Sequence, residues 1–300
     1  MAFDFNKDIT SNMHSTAHTL IGGCTGSGKS VLINSFIGYE YQEYKNDRFV
    51  FIDPKRVELS KYRDTRPCLK YASENHDIIN VLKWAIDVME ANYRDMQARG
   101  ISELDRAHIY IVIDELADLM VQKDVRAEVF PMLQRIAQLG RACHIHLICA
   151  TQAPSRKVIP AELTLNFTMR IALRCATAIE SKQVLNGFDG AEDLPKYGEC
   201  LISLDGNLYR GDIALTPPEE LNKLIKLNQY THNTTPPEPV EPQATNRISD
   251  EEGARLLKEA RNYERAKWFK NPFNVIGLVI WSVVAFFALK FLWWVISLQI

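Results

Sequence analysis

The chain has 300 residues, of which 46% are hydrophobic and 24% charged, enough for one large core and an appendage. A formal net charge of −2 excludes a globally basic, nucleic-acid-coating protein, so any grip on phosphate backbones must come from a local surface. Cys24, Cys68, Cys143, Cys149, Cys175 and Cys200 are scattered, without C-x-x-C or Cys/His pairing. That argues against a zinc site or a disulfide framework and fits a reducing cytosol.

The opening residues Phe3–Asp8 are polar and acidic, so no signal peptide is expected. A β-rich run, "HTLIGG" (18–23), leads into "GGCTGSGKS" (22–30), and Gly23-x4-Gly28-Lys29-Ser30 is the P-loop pattern. Its glycines let the backbone curl so that successive N–H groups face phosphate oxygens. A helix expected over about 29–37 adds its positive N-terminal end. The expected ATP cradle is Gly23, Cys24, Thr25, Gly26, Ser27, Gly28, Lys29, Ser30 and Val31. Lys29 would reach the β/γ-phosphates and Ser30 would ligate Mg²⁺. The bare pattern arises by chance, but here it follows a strand and precedes a helix, as the chemistry requires.

A second strand, "RFVFID" (48–53), is followed by Lys55 and Arg56, which suit a nucleotide or neighbour contact as well as plain solvation. Leu82, Ala85, Ile86, Met89, Tyr93 and Met96 form one helical stripe, ended by Gly100. "IYIVID" (109–114) then closes on an acidic pair. Asp114 can hold the Mg²⁺ shell, and Glu115 can orient and deprotonate the attacking water. A second stripe, Met132, Leu133, Ile136 and Leu139, ends at Gly140 before "HIHLICA" (144–150). Gln152 leaves that strand where ligands bind in open α/β folds, placed to sense the γ-phosphate. "FTMRIAL" (167–173) and "ECLISL" (199–204) complete the strands, and "LYRGDIAL" (208–215) returns around "DGN" as a hairpin. Strands alternating with helices predict an α/β fold with a central, mainly parallel sheet covered on both faces. No GTPase base-reading motif or kinase acceptor site is visible.

Beyond about residue 230 the pattern changes. "THNTTPPEPVEPQATNR" (231–247) reads as an extended Pro-rich linker. Ser249 and Glu252 form a capping box opening an amphipathic helix over 248–270. "FNVIGLVIWSVVAFFAL" (273–289) carries no charge and matches the roughly 17–20 residues a bilayer core demands. The expectation is a C-terminal membrane anchor over 271–300, with Lys290 snorkelling and Trp293 and Trp294 at the interface. Arg261, Arg265, Lys267 and Lys270 precede it against Glu264 alone, which places the N-terminal part, residues 1–230, in the cytoplasm.

Stretches outside the nucleotide motifs carry a more specific signal. "HTLIGGCTGSGKSVLINSFI", "FIDPKRVELSKY", "WAIDVMEANYRDMQARGI", "YIVIDELADLM", "RIAQLGRACHIHLICATQAPS" and "RIALRCATAIESKQVL" together resemble the motor domain of FtsK/SpoIIIE DNA translocases, in order from about residue 8 to 215. The resemblance implies a RecA-like P-loop ATPase, a ring that is usually a hexamer, and ATP-driven movement of double-stranded DNA. It also implies that Arg141, in "GRA", acts in trans on the nucleotide of the adjacent subunit. Arg141 equally suits a helix C-terminus, where a cation complements the macrodipole. Arg170 and Arg174, alternating onto one face of their strand, are the runners-up for that role.

The chain departs from the family pattern in two places. "ATQAPS" has Ala153 where the family usually has arginine, and 187–202 replaces a glycine-rich loop near the expected DNA channel. Arg156, Lys157, Lys182 and Lys196 are the nearby candidates for phosphate contacts. The leading expectation is a membrane-tethered, ATP-driven DNA pump, with double-stranded DNA favoured and single strands possible. The alternatives are a secretion ATPase of the same superfamily moving protein or single-stranded DNA, and a non-enzymatic nucleotide-dependent scaffold.

Overall fold

The computed structural model describes residues 9–229, apart from 11, 12, 105, 214 and 215. The linker, the helix over 248–270 and the anchor over 271–300 expected from the sequence lie outside the described residues. Among the described residues no helix is long and apolar enough to cross a membrane.

Segments of four to seven residues form the strands β1 (His18–Gly22), β2 (Arg48–Ile52), β3 (Cys68–Ala72), β4 (Ile109–Ile113), β5 (Ile145–Thr151), β6 (Met169–Ala172), β7 (Glu199–Leu204) and β8 (Asn207–Asp212). Among the described residues they form one sheet in the order β3-β2-β4-β5-β1-β6-β7-β8. The first six strands run parallel, and β7 and β8 add an antiparallel hairpin at the β6 edge. The central strands are nearly continuous in Ile, Leu, Val and Phe because helices cover both faces.

The helices are α1 (Lys29–Glu43), α2 (Asn75–Arg99), α3 (Leu116–Val121), α4 (Lys123–Leu139), α5 (Ala161–Thr164), α6 (Ala178–Val184) and α7 (Pro218–Asn228). Side chains that alternate along each strand feed two cores. On one face Val50, Ile52, Ile111 and Ile113 pack against Leu82, Ala85 and Met89 of α2 and Leu133 and Ile136 of α4. On the other, Phe49, Phe51, Tyr110 and Val112 pack against Leu32, Phe36 and Ile37 of α1, with Leu221 and Ile225 of α7. Phe36 meets the Tyr110 ring edge-on at 5.1 Å, and truncating such a buried ring to Ala costs about 3–5 kcal/mol.

Three local expectations are corrected. Strand β3 had no sequence signal, because "CLKYA" is an edge strand whose middle residues are only half-buried. Helix α1 continues past residue 37 to Glu43, since Glu40 and Tyr41 are buried despite their polarity. Arg170 and Arg174 do not share a strand face: β6 stops at Ala172, and Arg174 is exposed beyond it. Arg170 is buried, donating to the carbonyls of Phe167 at 3.2 Å and Thr164 at 2.6 Å. It satisfies the chain around α5 and is unavailable as a trans-acting group.

Candidate functional site

Parallel pairing of β1, β2, β4 and β5 places the segments that leave their C-terminal ends along one edge of the sheet. These are the P-loop after β1, Asp53 to Lys55 after β2, Asp114 and Glu115 after β4, and Gln152 after β5. The sequence-predicted nucleotide residues are thus assembled by topology alone.

The P-loop turns into α1 through Gly28, whose φ of 104° is a conformation side chains resist. Thr25 and Gly26 are exposed at the loop's tip, and Ser30 sits in the first turn of α1. Lys29 is buried, and its ammonium donates to the carbonyls of Gly23 at 2.6 Å and Cys24 at 2.9 Å. Burial lowers its pKa, while the charges of Glu115, Cys24 and Asp114 pull in the opposite direction. Val31 faces outward beside a cavity of about 430 Å³ lined also by Asn34, Lys61, Pro217 and Leu221.

Glu115 is 2% exposed and its carboxylate is held from three sides. It accepts from the N–H of Ala117 at 3.2 Å as the N-cap of α3, and from the N–H of Gln152 at 3.1 and 3.2 Å. The Lys55 ammonium approaches it to 3.3 Å and lies 3.8 Å from the Asp118 carboxylate. The Gln152 side chain, in turn, accepts from Thr25 Oγ1 at 2.6 Å, tying the P-loop tip to the end of β5. Arg56 turns away and pairs with Glu74.

Asp114 is half-buried; burial, with the Asp53 and Glu58 carboxylates nearby, pushes its pKa up to about 6 against the pull of Lys55. Asp53 is fully buried, and its Oδ2 accepts from the N–H of Leu59 at 3.0 Å and from Tyr71 at 3.4 Å. Its Oδ1 is buried with no hydrogen-bond partner among the described residues. Hard oxygen donors of this kind, Ser30 and Asp114 with Asp53 behind them, suit Mg²⁺, whose charge would offset crowded carboxylates. Asp53 was missed in the sequence, although it closes its strand as Asp114 does. Thr25 was placed only as part of the cradle; its bond to Gln152 depends on the tertiary fold.

Arg141 lies elsewhere. It opens a 3-10 turn, Arg141–Cys143, just before β5, at the opposite edge of the sheet from Gln152. Gly140 makes that turn possible, because a Cβ there would sit 2.3 Å from the carbonyl oxygen of Ile145. Seven residues of β5 at about 3.3 Å each put Arg141 on the order of 20 Å from its own phosphate site. The side chain is exposed and makes no ion pair or hydrogen bond among the described residues. Lys182 pairs with Asp189 at 3.0 Å, and Lys196 lies over the Tyr197 ring at 5.1 Å, while Arg156 and Lys157 are exposed.

Comparison with known proteins converges on one family. A model of the FtsK/SpoIIIE family matches residues 2–111 and 104–156. The DNA translocase FtsK of Helicobacter pylori is 37% identical over 245 residues, covering 74% of this chain and 27% of the relative. That of Caldanaerobacter subterraneus is 32% identical over 281 residues, covering 87% of this chain and 39% of the relative. The chain therefore spans between about a quarter and two fifths of these relatives' lengths. Among solved structures, the pCW3 conjugation coupling protein TcpA, a monomer with ATPγS, aligns with a TM-score of 0.64 at 24% identity, over 72% of this chain and 66% of that one. The cytoplasmic domain of the Thermomonospora curvata Type VII secretion ATPase EccC gives 0.57 at 20%, over 72% and 28%. Both likenesses concern the α/β fold.

Proposed function

The chain belongs to the FtsK/SpoIIIE family, and from that premise we propose that it is an ATP-driven DNA translocase that hydrolyses ATP between the subunits of a ring, a hexamer by the family's habit. The observation that carries this reading is the fixed carboxylate of Glu115, tied through Gln152 to the P-loop tip at Thr25. A base held in that way can take the proton from a water attacking the γ-phosphate. Lys29 steadies the β/γ-phosphates, and Gln152 reports whether the γ-phosphate is present. Ser30 and Asp114 would hold Mg²⁺, which supplies positive charge against the phosphate oxygens. Lys55, 3.3 Å from Glu115, must yield part of that contact when water is engaged.

Arg141 cannot serve its own site across the width of the sheet, so its role is to complete a neighbour's. An exposed guanidinium with no partner among the described residues suits that task, since it keeps hydrolysis slow until subunits meet. Cargo follows from the relatives, which are named as DNA translocases; the duplex is the favoured substrate, gripped by backbone contacts that weaken with salt. The uncharged segment 273–289 supports a single-pass membrane tether with the motor on the cytoplasmic side. ATP turnover of the full chain tests the reading, run with no DNA, single strands or duplex at two salt concentrations, with Glu115→Gln as blank. Stimulation by duplex that fades with salt is expected. Stimulation by single strands alone would move the reading to single-stranded export, and turnover indifferent to both would favour a protein cargo.

A further inference from the structure

The sheet edge opposite the nucleotide gathers most of the chain's histidines. Asp47 and His108 immediately precede β2 and β4, His144 precedes β5, His146 is its second residue, and His14 stands just before β1. From the geometry we infer a divalent metal site of the zinc class at this edge, with His14, Asp47 and His108 as protein ligands. One donor atom from each of the three lies within 4.8 Å of the others. A tetrahedral site with bonds of about 2.0–2.1 Å spaces its ligands about 3.3 Å apart, so side-chain closure of roughly 1.5 Å completes it.

Two further observations point to a cation. Asp47 is 5% exposed, and its Oδ1 accepts from the backbone N–H of His108 at 2.9 Å. Its Oδ2 is buried 3.7 Å from His14 Nδ1 and takes no hydrogen bond from any nitrogen or hydroxyl among the described residues. Glu40, also fully buried, lies 3.1 Å from the same His14 nitrogen. Among the described residues, two buried carboxylates thus crowd one imidazole nitrogen, which the Tyr110 hydroxyl also approaches to 2.9 Å. The alternative to a cation is a proton held between Glu40 and Asp47.

The imidazole tautomers are also set for ligation. The Ala17 carbonyl, 2.7 Å from His146 Nδ1, can only accept, so that nitrogen carries the hydrogen. Its Nε2, the nitrogen left to accept, lies 2.9 Å from His108 Nδ1, and a proton on that Nδ1 leaves the His108 Nε2 lone pair for a ligand. An imidazole that donates its second N–H to a fixed acceptor is the usual outer support of a metal ligand. The scattered cysteines spoke against zinc, but this donor set is nitrogen and oxygen, which suits zinc, cobalt or nickel. Such an ion would fasten the segment before β1 to the β2–β4 edge.

The full chain, treated with chelator and free of nucleotide, is titrated with Co²⁺ and then Zn²⁺. One equivalent of cobalt is expected, with tetrahedral visible bands, no thiolate charge transfer, and displacement by zinc. Asp47→Asn and His14→Gln should weaken cobalt binding at least about 100-fold, His146→Gln about 10- to 100-fold, and exposed His76→Ala not at all. Circular dichroism separates loss of the site from loss of the fold. Absence of stoichiometric binding by the unaltered chain overturns the inference on its own, as do thiolate bands or binding that survives in both ligand variants.

Discussion

The backbone N–H of Gln152 donates to both carboxylate oxygens of Glu115, at 3.1 and 3.2 Å. Any residue but proline keeps that donor, so the side chain of Gln152 can be removed without releasing the base. Gln152→Ala should therefore lower kcat by about 10- to 100-fold while ATP affinity changes little. Gln152→Pro should lose the placement of Glu115 as well and fall further. Steady-state kinetics with a separate nucleotide-binding measurement checks the split, and equal kcat values for Gln152→Ala and the unaltered chain would contradict it.

Arg141 lies too far from its own P-loop to act there. Arg141→Ala and Lys29→Ala should each abolish turnover, the first without loss of ATP binding by the isolated subunit. Mixed in equal parts, the two should restore activity, since about a quarter of the interfaces in the proposed ring would pair an intact Lys29 with an intact Arg141. If the mixture stays as inactive as its parts, Arg141 is not a trans-acting group.

Cys24 is the one cysteine that is not buried among the six. A thiol reagent at neutral pH should therefore modify Cys24 first and block ATP hydrolysis, with bound nucleotide protecting. Mass spectrometry locates the adduct and turnover reports its effect. Full activity after complete modification of Cys24 would displace the loop from the phosphates.

His18 connects pH to stability. It is 1% exposed, and its Nδ1 accepts from the N–H of Leu147 at 2.9 Å. Burial lowers its pKa from 6.5 to about 4. Between those values the unfolded chain takes a proton that the folded chain refuses, so stability is intact above pH 6.5 and falls on acidification toward 4. The contribution is at most about 3 kcal/mol. His18→Gln keeps an acceptor and removes the titration, so its stability profile over this window should be flatter. Denaturant melts at several pH values decide it, and parallel profiles would refute the assignment.

What the sequence disclosed follows from what each element buries. Strands covered on both faces, such as "IYIVI" and "IHLICAT", stand out as apolar runs, and the P-loop pattern is local by nature. "CLKYA" hides because an edge strand exposes part of each face. Arg170 misled because alternation assigns a face but cannot tell a sheet's buried side from an open one. Asp114, Glu115 and Gln152 were readable as residues leaving strand ends, whereas the Thr25 bond to Gln152 and the Lys55 contact with Glu115 depend on which strands are neighbours. The histidine edge was invisible for the same reason, its members coming from separate segments.

Under the proposed function, hydrolysis at this site moves the chain along duplex DNA. The direct measurement is displacement of a third strand annealed to a duplex, by the full chain with ATP and with Glu115→Gln as the blank. Displacement that requires ATP, is lost in the Glu115 variant and weakens with salt is the predicted result. Hydrolysis that proceeds at full rate with the third strand left in place would contradict the account.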